Sequence, residues 1–136
     1  MQTFLPLPDL RASARVLDNS RLGNQCYRET LTLLNGGWRN HPASKMWRGY
    51  EGGLCRYGLA LVDEMEERGR WRPEVIDRWR SFYDTSLHGL TPDLPPWFGN
   101  PAFHASHRSN LLRKDPDWYS QWGWEEGPDL EYIWPC

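Results

Sequence analysis

The sequence predicts an all-α protein, a single compact helical domain over residues 1–136. Apolar residues recur at steps of three and four along the longest patterned segment, which is the spacing of one helix face. No segment alternates apolar and polar residues as a strand does. A chain of 136 residues has room for one hydrophobic core and needs neither a metal nor a disulfide to stabilise it.

Two helical stretches are expected in the first third of the chain. Asp9 is a helix-capping residue in front of residues 10–17, which can form the first stretch. Residues 21–34 can form the second stretch, which continues the first through a cap or a kink at residues 18–20. The glycine pair at residues 36–37 ends it, because glycine is favoured just past a helix.

The clearest helix is expected from the Asn40-His41-Pro42 start to Gly69, where charged residues and a glycine close it. Its apolar residues form a stripe along one face, which indicates that this face is buried. The stripe consists of Ala43, Met46, Trp47, Tyr50, Leu54, Tyr57, Leu61 and Met65.

Shorter helices are expected in the second half. Pro73 can start a helix that runs to about Tyr83. Residues 90–101 contain four prolines and are predicted to be a loop. Residues 103–114 can form a further helix, and Pro116 begins a last short turn.

The charge distribution indicates a nucleic-acid partner, although the formal net charge is only -2. Residues 1–58 contain eight Arg or Lys and four Asp or Glu, and residues 101–114 contain three basic residues and no acidic one. Two basic segments can fold into one positive face. Fourteen of the sixteen cations are arginines, which suits bidentate phosphate contacts, although GC-rich coding gives the same bias.

The sequence predicts a cytoplasmic protein that works as a monomer. It contains no apolar run of the roughly 20 residues that a membrane span needs, and no signal peptide. Cys26, Cys55 and Cys136 are an odd number without metal-binding spacing, so we expect reduced thiols.

Glu29 is the candidate acid or base. On a helical wheel of residues 21–35 it falls between an apolar half and a polar half that contains Arg21 and Arg28. A carboxylate at such a border is partly desolvated and within reach of arginines, as many catalytic glutamates are. The alternative is an ordinary surface glutamate paired with an arginine.

The N-terminal amine is a candidate nucleophile. Enzymes that form imines with sugars need an amine that is unprotonated near neutral pH. An α-amine, with an ordinary pKa of about 7.7–8.0, serves better than a lysine at about 10.4. The chain has only Lys45 and Lys114 as lysines. Because Gln2 is too large for ordinary methionine removal, the amine is expected to be that of Met1.

Histidine and arginine stand at two expected helix starts, in residues 37–42 and 103–108. Helix N-termini bind phosphate, so both segments can contact a nucleic-acid backbone, and the alternative is capping and packing. His41, His104 and His107 could also form a metal site of a nuclease. No carboxylate or cysteine has supporting spacing, so we expect neither a metal nor a cofactor.

Aromatic residues are dense near the C-terminus, in residues 117–124 and again at Tyr132 and Trp134. Rings in this density can stack on bases or wedge into a duplex. They can equally form a lid over the core.

Five blocks along the chain form one recognisable pattern. They are Met-Gln-Thr-Phe-Leu-Pro at residues 1–6, Leu-Asp-Asn-x-Arg-Leu-Gly-x-Gln at 17–25, Gly-Trp-x-Asn-His-Pro-Ala-x-x-Met-Trp-x-Gly-Tyr-Glu at 37–51, and two further blocks at 95–108 and 111–123. With them the chain resembles the pyrimidine-dimer DNA glycosylase/AP lyase family of the phage endonuclease V type, especially its small bacterial and phage members.

The resemblance implies an all-α, metal-independent, endonuclease V-like enzyme that acts on double-stranded DNA. In that family the N-terminal amine attacks the sugar C1′, expels a damaged pyrimidine and leaves an imine, after which elimination cuts the strand on the 3′ side. Carried over, Met1 is the nucleophile and Glu29 the carboxylate. The alternatives are a non-catalytic DNA-binding protein of this fold and a glycosylase for hypermodified bases.

The position of the glutamate differs slightly from the family pattern. The family's glutamate often follows the glutamine by three residues, where this chain has Arg28 after Gln25. Glu29 stands one residue later, so its role requires a local shift of about 100° in the helix. The residues expected to contact DNA are Arg21, Gln25, Arg28, Arg39, His41, Lys45, Arg48, His104, His107, Arg108, Trp118 and Tyr119.

Overall fold

A computed structural model describes residues 1–135, and these residues form helices, turns and loops without a strand. The predicted all-α fold is therefore confirmed. The α-helices are α1 (Leu10–Val16), α2 (Asn19–Asn24), α3 (Thr30–Leu34), α4 (Pro42–Trp47), α5 (Glu51–Arg68), α6 (Pro73–Leu87), α7 (Pro101–Lys114) and α8 (Pro116–Tyr119). A π turn (Gln25–Glu29) joins α2 to α3, and a 3-10 turn (Ser120–Trp122) follows α8.

Helix α5 is the centre of the packing, with α1, α3 and α6 against it. Helix α6 comes very close at Gly58, where a Cβ atom would lie 2.4 Å from the ring of Tyr83. The missing side chain lets Tyr83 reach across α5, and its hydroxyl donates a hydrogen bond to the carbonyl of Cys26 in the π turn. Helix α6 thus holds the π turn in place from the core side.

The long helix predicted from residue 41 to residue 69 is wrong as a single element. Helix α4 ends at Trp47 and α5 begins at Glu51, with Gly49 between them at a φ of 87°. An α-helix cannot pass through this left-handed conformation, which glycine adopts without strain. Helix α6 runs to Leu87, beyond the predicted end at Tyr83. Most of the predicted stripe is buried: Ala43, Met46, Trp47, Leu54, Tyr57, Leu61 and Met65.

The N-terminal segment, residues 1–6, crosses the protein interior without forming a helix or a strand. Buried side chains satisfy its backbone instead. Gln25 accepts a hydrogen bond from the N–H of Phe4 at 3.0 Å and donates one to the carbonyl of Gln2 at 2.8 Å. The hydroxyl of Tyr57 donates to the carbonyl of Phe4 at 2.7 Å and lies 2.9 Å from the Gln25 amide oxygen.

Three more side chains hold the same segment. His107 Nδ1 accepts from the N–H of Leu5 at 3.0 Å, and His104 Nδ1 lies 2.7 Å from the Leu5 carbonyl. The indole of Trp47 donates to the Thr3 hydroxyl at 2.9 Å. A buried backbone group without a partner is costly, so these bonds fix the path of the N-terminal segment.

The cysteines of the described chain are free thiols. Burial raises the pKa of Cys26 to about 12 and that of Cys55 to about 11, which keeps both protonated at neutral pH. The prediction for Cys136 lies outside the described residues. Within residues 1–135 no helix combines the length and the apolar composition that a bilayer crossing requires.

His107 should make stability depend on pH. Burial in the core, together with the nearby His104, lowers its pKa from 6.5 to about 3, and the neutral ring accepts a hydrogen bond from the N–H of Leu5. Between these two pKa values the unfolded chain binds a proton that the folded chain does not. The stabilising contribution of the neutral His107 ring is therefore fully present above pH 6.5 and is lost as the pH falls towards 3. The maximum slope is about 1.4 kcal/mol per pH unit.

Urea unfolding at several pH values of the wild type and of His107→Asn measures this slope. Asparagine offers an acceptor to Leu5 but does not titrate. We expect the variant to be less stable at pH 7 and the difference to shrink as the pH falls. Parallel pH profiles would contradict this assignment.

Candidate active site

A cavity of about 260 Å³ lies where the N-terminal segment meets the π turn. We call it the active-site cavity. It is lined from three parts of the chain: the first residues, the helix around the π turn, and the end of α7 with the C-terminal segment. The lining residues are Met1, Gln2, Phe4, Arg21, Asn24, Gln25, Glu29, Lys114, Tyr132 and Trp134.

The π turn brings Glu29 to this cavity. The N–H of Thr30 donates to the carbonyl of Gln25, five residues back, so the turn holds one more residue than an α turn. The extra residue supplies the local shift in helix register that the sequence pattern required. The Glu29 side chain is 17% exposed, with Arg28 Nε 3.8 Å from its carboxylate, whereas the Arg28 side chain is 70% exposed and turned to solvent.

Two cationic side chains line the same cavity as Glu29. Arg21 forms an ion pair of 3.2 Å with Asp18, which also accepts the backbone N–H of Arg21 as the cap of α2. This pair fixes the direction of the guanidinium at the cavity wall. Lys114, at the end of α7, adds a second cation to the lining. Together with the N-terminal amine, these groups give the cavity an excess of positive charge.

The charges of the N-terminus and of Glu29 both act on His41. Its Nδ1 accepts from the N–H of Ala43 at 3.0 Å, which caps α4. Burial lowers the pKa of His41, the positive charge of the N-terminus lowers it further, and the negative charge of Glu29 opposes them. Its ring centroid is 5.5 Å from that of Trp134. The amine, the carboxylate and this imidazole therefore share one electrostatic environment.

The arrangement can support attack by an amine on an anionic substrate. An amine next to a carboxylate can transfer its proton as it becomes a nucleophile, and cations beside both groups can hold phosphates. The partly buried position of Glu29 strengthens these electrostatic interactions, because they are less screened than in bulk water.

A second cavity of about 400 Å³ lies where the end of α3 meets α4 and the start of α5, and Arg39 and Arg48 belong to its lining. Both side chains are exposed, and Arg48 donates to the carbonyl of Arg39 at 2.7 Å. Lys45 is exposed but lines neither cavity. These three predicted DNA contacts are therefore accessible, although they lie outside the active-site cavity.

The prediction that His104 and His107 grip DNA is wrong. Their residues are 1% and 0% exposed, and both rings bond to Leu5 in the core. The predicted helix start is real, but the face that carries the histidines turns inward onto the N-terminal segment. Gln25 is likewise 2% exposed, and its side-chain amide bonds to that segment at Phe4 and Gln2 and to the hydroxyl of Tyr57.

Three further predicted contacts are also used inside the protein. Arg108 forms an ion pair of 2.5 Å with Glu126 and donates to the carbonyl of Pro6. Trp118 donates its indole N–H to the carbonyl of Val16 at 2.8 Å. Tyr119 is 0% exposed and donates its hydroxyl to Asp18, which orients Arg21. Burial excludes a DNA contact for Tyr119, whereas the DNA contacts predicted for the partly exposed Arg108 and Trp118 stay predictions.

Several cavity residues were not among the predicted site residues: Gln2, Phe4, Asn24, Lys114, Tyr132 and Trp134. Tyr132 and Trp134 belong to the C-terminal segment, which α7 fixes through Ser106, Ser109 and Asn110. The sequence signal for this contact was the stripe of polar residues on α7. A helix face that packs on an apolar core is itself apolar, whereas a polar stripe can bond to the backbone of another segment.

Within residues 1–135 no three His, Cys, Asp or Glu side chains converge into a group that could hold a metal ion. The three histidines considered for such a site have different hydrogen-bond partners. His41 caps α4, whereas His104 and His107 bond to Leu5.

Gln25 should stabilise the fold through the N-terminal segment. In Gln25→Leu, the N–H of Phe4 and the carbonyl of Gln2 lose their partners in the core, so we expect a loss of about 1–3 kcal/mol in the free energy of unfolding. Asn24→Leu is the control, because Asn24 accepts only from the exposed Tyr27 hydroxyl. Equal losses in urea unfolding would show that Gln25 does not anchor the segment.

The comparison with known proteins gives one family. No curated protein and no solved structure matches the chain significantly. The sequence profile described as pyrimidine dimer DNA glycosylase matches residues 1–77, which include the N-terminal segment and the π turn. This match covers more than half of the 136 residues, and the chain therefore belongs to the pyrimidine dimer DNA glycosylase family.

Proposed function

We propose that this protein is a DNA glycosylase with AP lyase activity whose nucleophile is the α-amine of Met1 and whose acid/base group is Glu29. The observation that carries the proposal is that both residues line one cavity. Family membership supports excision of a damaged base from DNA, and the pyrimidine dimer is the substrate that we propose.

The reaction begins when the Met1 nitrogen attacks C1′ of the damaged nucleotide. The bond between C1′ and the base breaks, and the base leaves with the bonding electrons and takes up a proton. Loss of a proton from nitrogen and opening of the sugar ring give an imine. Glu29 is within the same cavity and can accept the proton that the amine loses.

Strand cleavage follows from the imine. The protonated imine acidifies the C2′ hydrogen, and its removal by a base lets the C3′–oxygen bond break, so that the 3′ phosphate leaves. Water then hydrolyses the imine and restores the amine. Glu29 is the carboxylate of the cavity lining and can act as this base. Its negative charge also stabilises the positive charge of the imine.

Arginines and lysines hold the DNA backbone in this proposal. Arg21 and Lys114 face the reacting sugar from the cavity wall. The exposed Arg28, Arg39 and Arg48 bind phosphates further along the strand, with His41 and Lys45 between them. Such contacts position the duplex without reading its sequence, and affinity should fall steeply with salt.

Borohydride trapping tests the chemistry. We expect sodium borohydride to trap a covalent complex with duplex DNA that contains a pyrimidine dimer or a preformed abasic site. Peptide mapping should locate the DNA remnant on the amine of Met1. One residue added before Met1 should abolish trapping, because the amine is then displaced from the cavity.

Glu29→Gln should lower single-turnover cleavage about 100-fold or more while DNA affinity stays within a few-fold. The control is Glu74→Gln, because the Glu74 side chain is 62% exposed and pairs only with Arg72. Normal DNA binding without any trapped complex would contradict the proposal. A complex mapped to Lys114, which lines the same cavity, would assign the nucleophile elsewhere.

A further inference from the structure

Trp38 is the most exposed of the large apolar side chains in the described chain, at 61%. Tryptophan usually buries most of its surface, because its ring gains more from leaving water than a smaller side chain does. Single exposed apolar side chains are nevertheless common on protein surfaces, so the exposure of Trp38 indicates a partner only together with a second feature of the same residue.

The backbone of Trp38 is also unusual. Its φ is 56°, and it is the one non-glycine residue with a positive φ among residues 1–135. A bulky residue adopts this conformation at a cost, whereas glycine adopts it freely. Strain of this kind is found where function requires a side chain in a particular place. The conformation projects the ring from the turn between α3 and α4.

The ring of Trp38 is connected to the lining of the active-site cavity through His41. Its ring centroid is 6.3 Å from that of His41, in an edge-to-face arrangement, and His41 lies 5.5 Å from Trp134 of the cavity lining. The next residue, Arg39, is exposed and can hold a phosphate beside the ring.

We infer that Trp38 is the wedge that opens the DNA duplex: its ring inserts into the base stack beside the lesion, so that Met1 gains access to the sugar. This inference rests on the proposed function. The amine must reach C1′ of the damaged nucleotide, which an undistorted duplex shields, so the stack must be opened. Apolar side chains that enter a base step unstack it and kink the duplex, and an aromatic ring replaces part of the lost stacking.

The experiment compares two DNA substrates with the same abasic strand. In one, the complement pairs fully with the flanking bases. In the other, the complement leaves the abasic site and its neighbours unpaired, so that no stack needs opening. We expect Trp38→Ala to slow single-turnover cleavage of the paired substrate at least tenfold and to change cleavage of the unpaired substrate less than twofold.

A second variant separates the ring from the backbone. Trp38→Gly removes the strain at φ 56°, so it should raise the free energy of unfolding while it causes the same defect on paired DNA. Trp38→Phe should restore part of the rate. The control is Leu90→Ala, which removes another exposed apolar side chain, 44% exposed and outside the described cavities.

A base-stacking readout keeps the inference testable if the imine chemistry fails. With 2-aminopurine beside the abasic site, binding of the wild type should raise the fluorescence, and binding of Trp38→Ala should not. Unchanged fluorescence and rates in Trp38→Ala would overturn the inference and leave Trp38 as a contact for a protein partner. Equal rate losses on both substrates would also overturn it, because they would make Trp38 part of the cavity wall.

Discussion

The structure depends on how residues 1–6 are held. An extended segment inside a helical protein has no neighbouring strand to satisfy its backbone, and buried N–H and C=O groups are costly when unpaired. Here the partners are side chains from several helices: Gln25 and Tyr57 at Phe4, and His107 at Leu5. Burying these polar residues is acceptable because each of them bonds to the segment. The outcome is a chain terminus that is placed as firmly as a core residue.

The same requirement explains the π turn. Gln25 must point inward to hold the segment, and Glu29 must reach the cavity that the segment forms with the helix. The wider turn places both side chains on the N-terminal segment's side of the helix, and Tyr83 supports it at the carbonyl of Cys26. π turns are rare in proteins as a whole, but many of those known lie at functional sites, where they change the register of the side chains along a helix. The position of Glu29, the proposed acid/base group, thus depends on the same π turn that directs Gln25 to the N-terminal segment with the proposed nucleophile.

Sequence patterns predicted the helical fold because periodicity and capping are local signals, and they indicated Met1, Arg21 and Glu29, which share the cavity. They failed where the deciding contact is distant in sequence. His107 was expected at the surface because it follows a helix start, but its partner, Leu5, is 102 residues away. The role of the C-terminal segment was missed for the same reason: its partners on α7 are polar residues whose spacing resembles a solvent-facing stripe.

Amide hydrogen exchange at Phe4 and Leu5, measured by NMR, tests the central claim most directly. If buried side chains fix the N-terminal segment, these two amides should exchange as slowly as amides in the middle of α5, because both open only in global unfolding. Exchange at the rate of an unstructured chain end would contradict the account. The amine of Met1 would then have no fixed place beside Glu29.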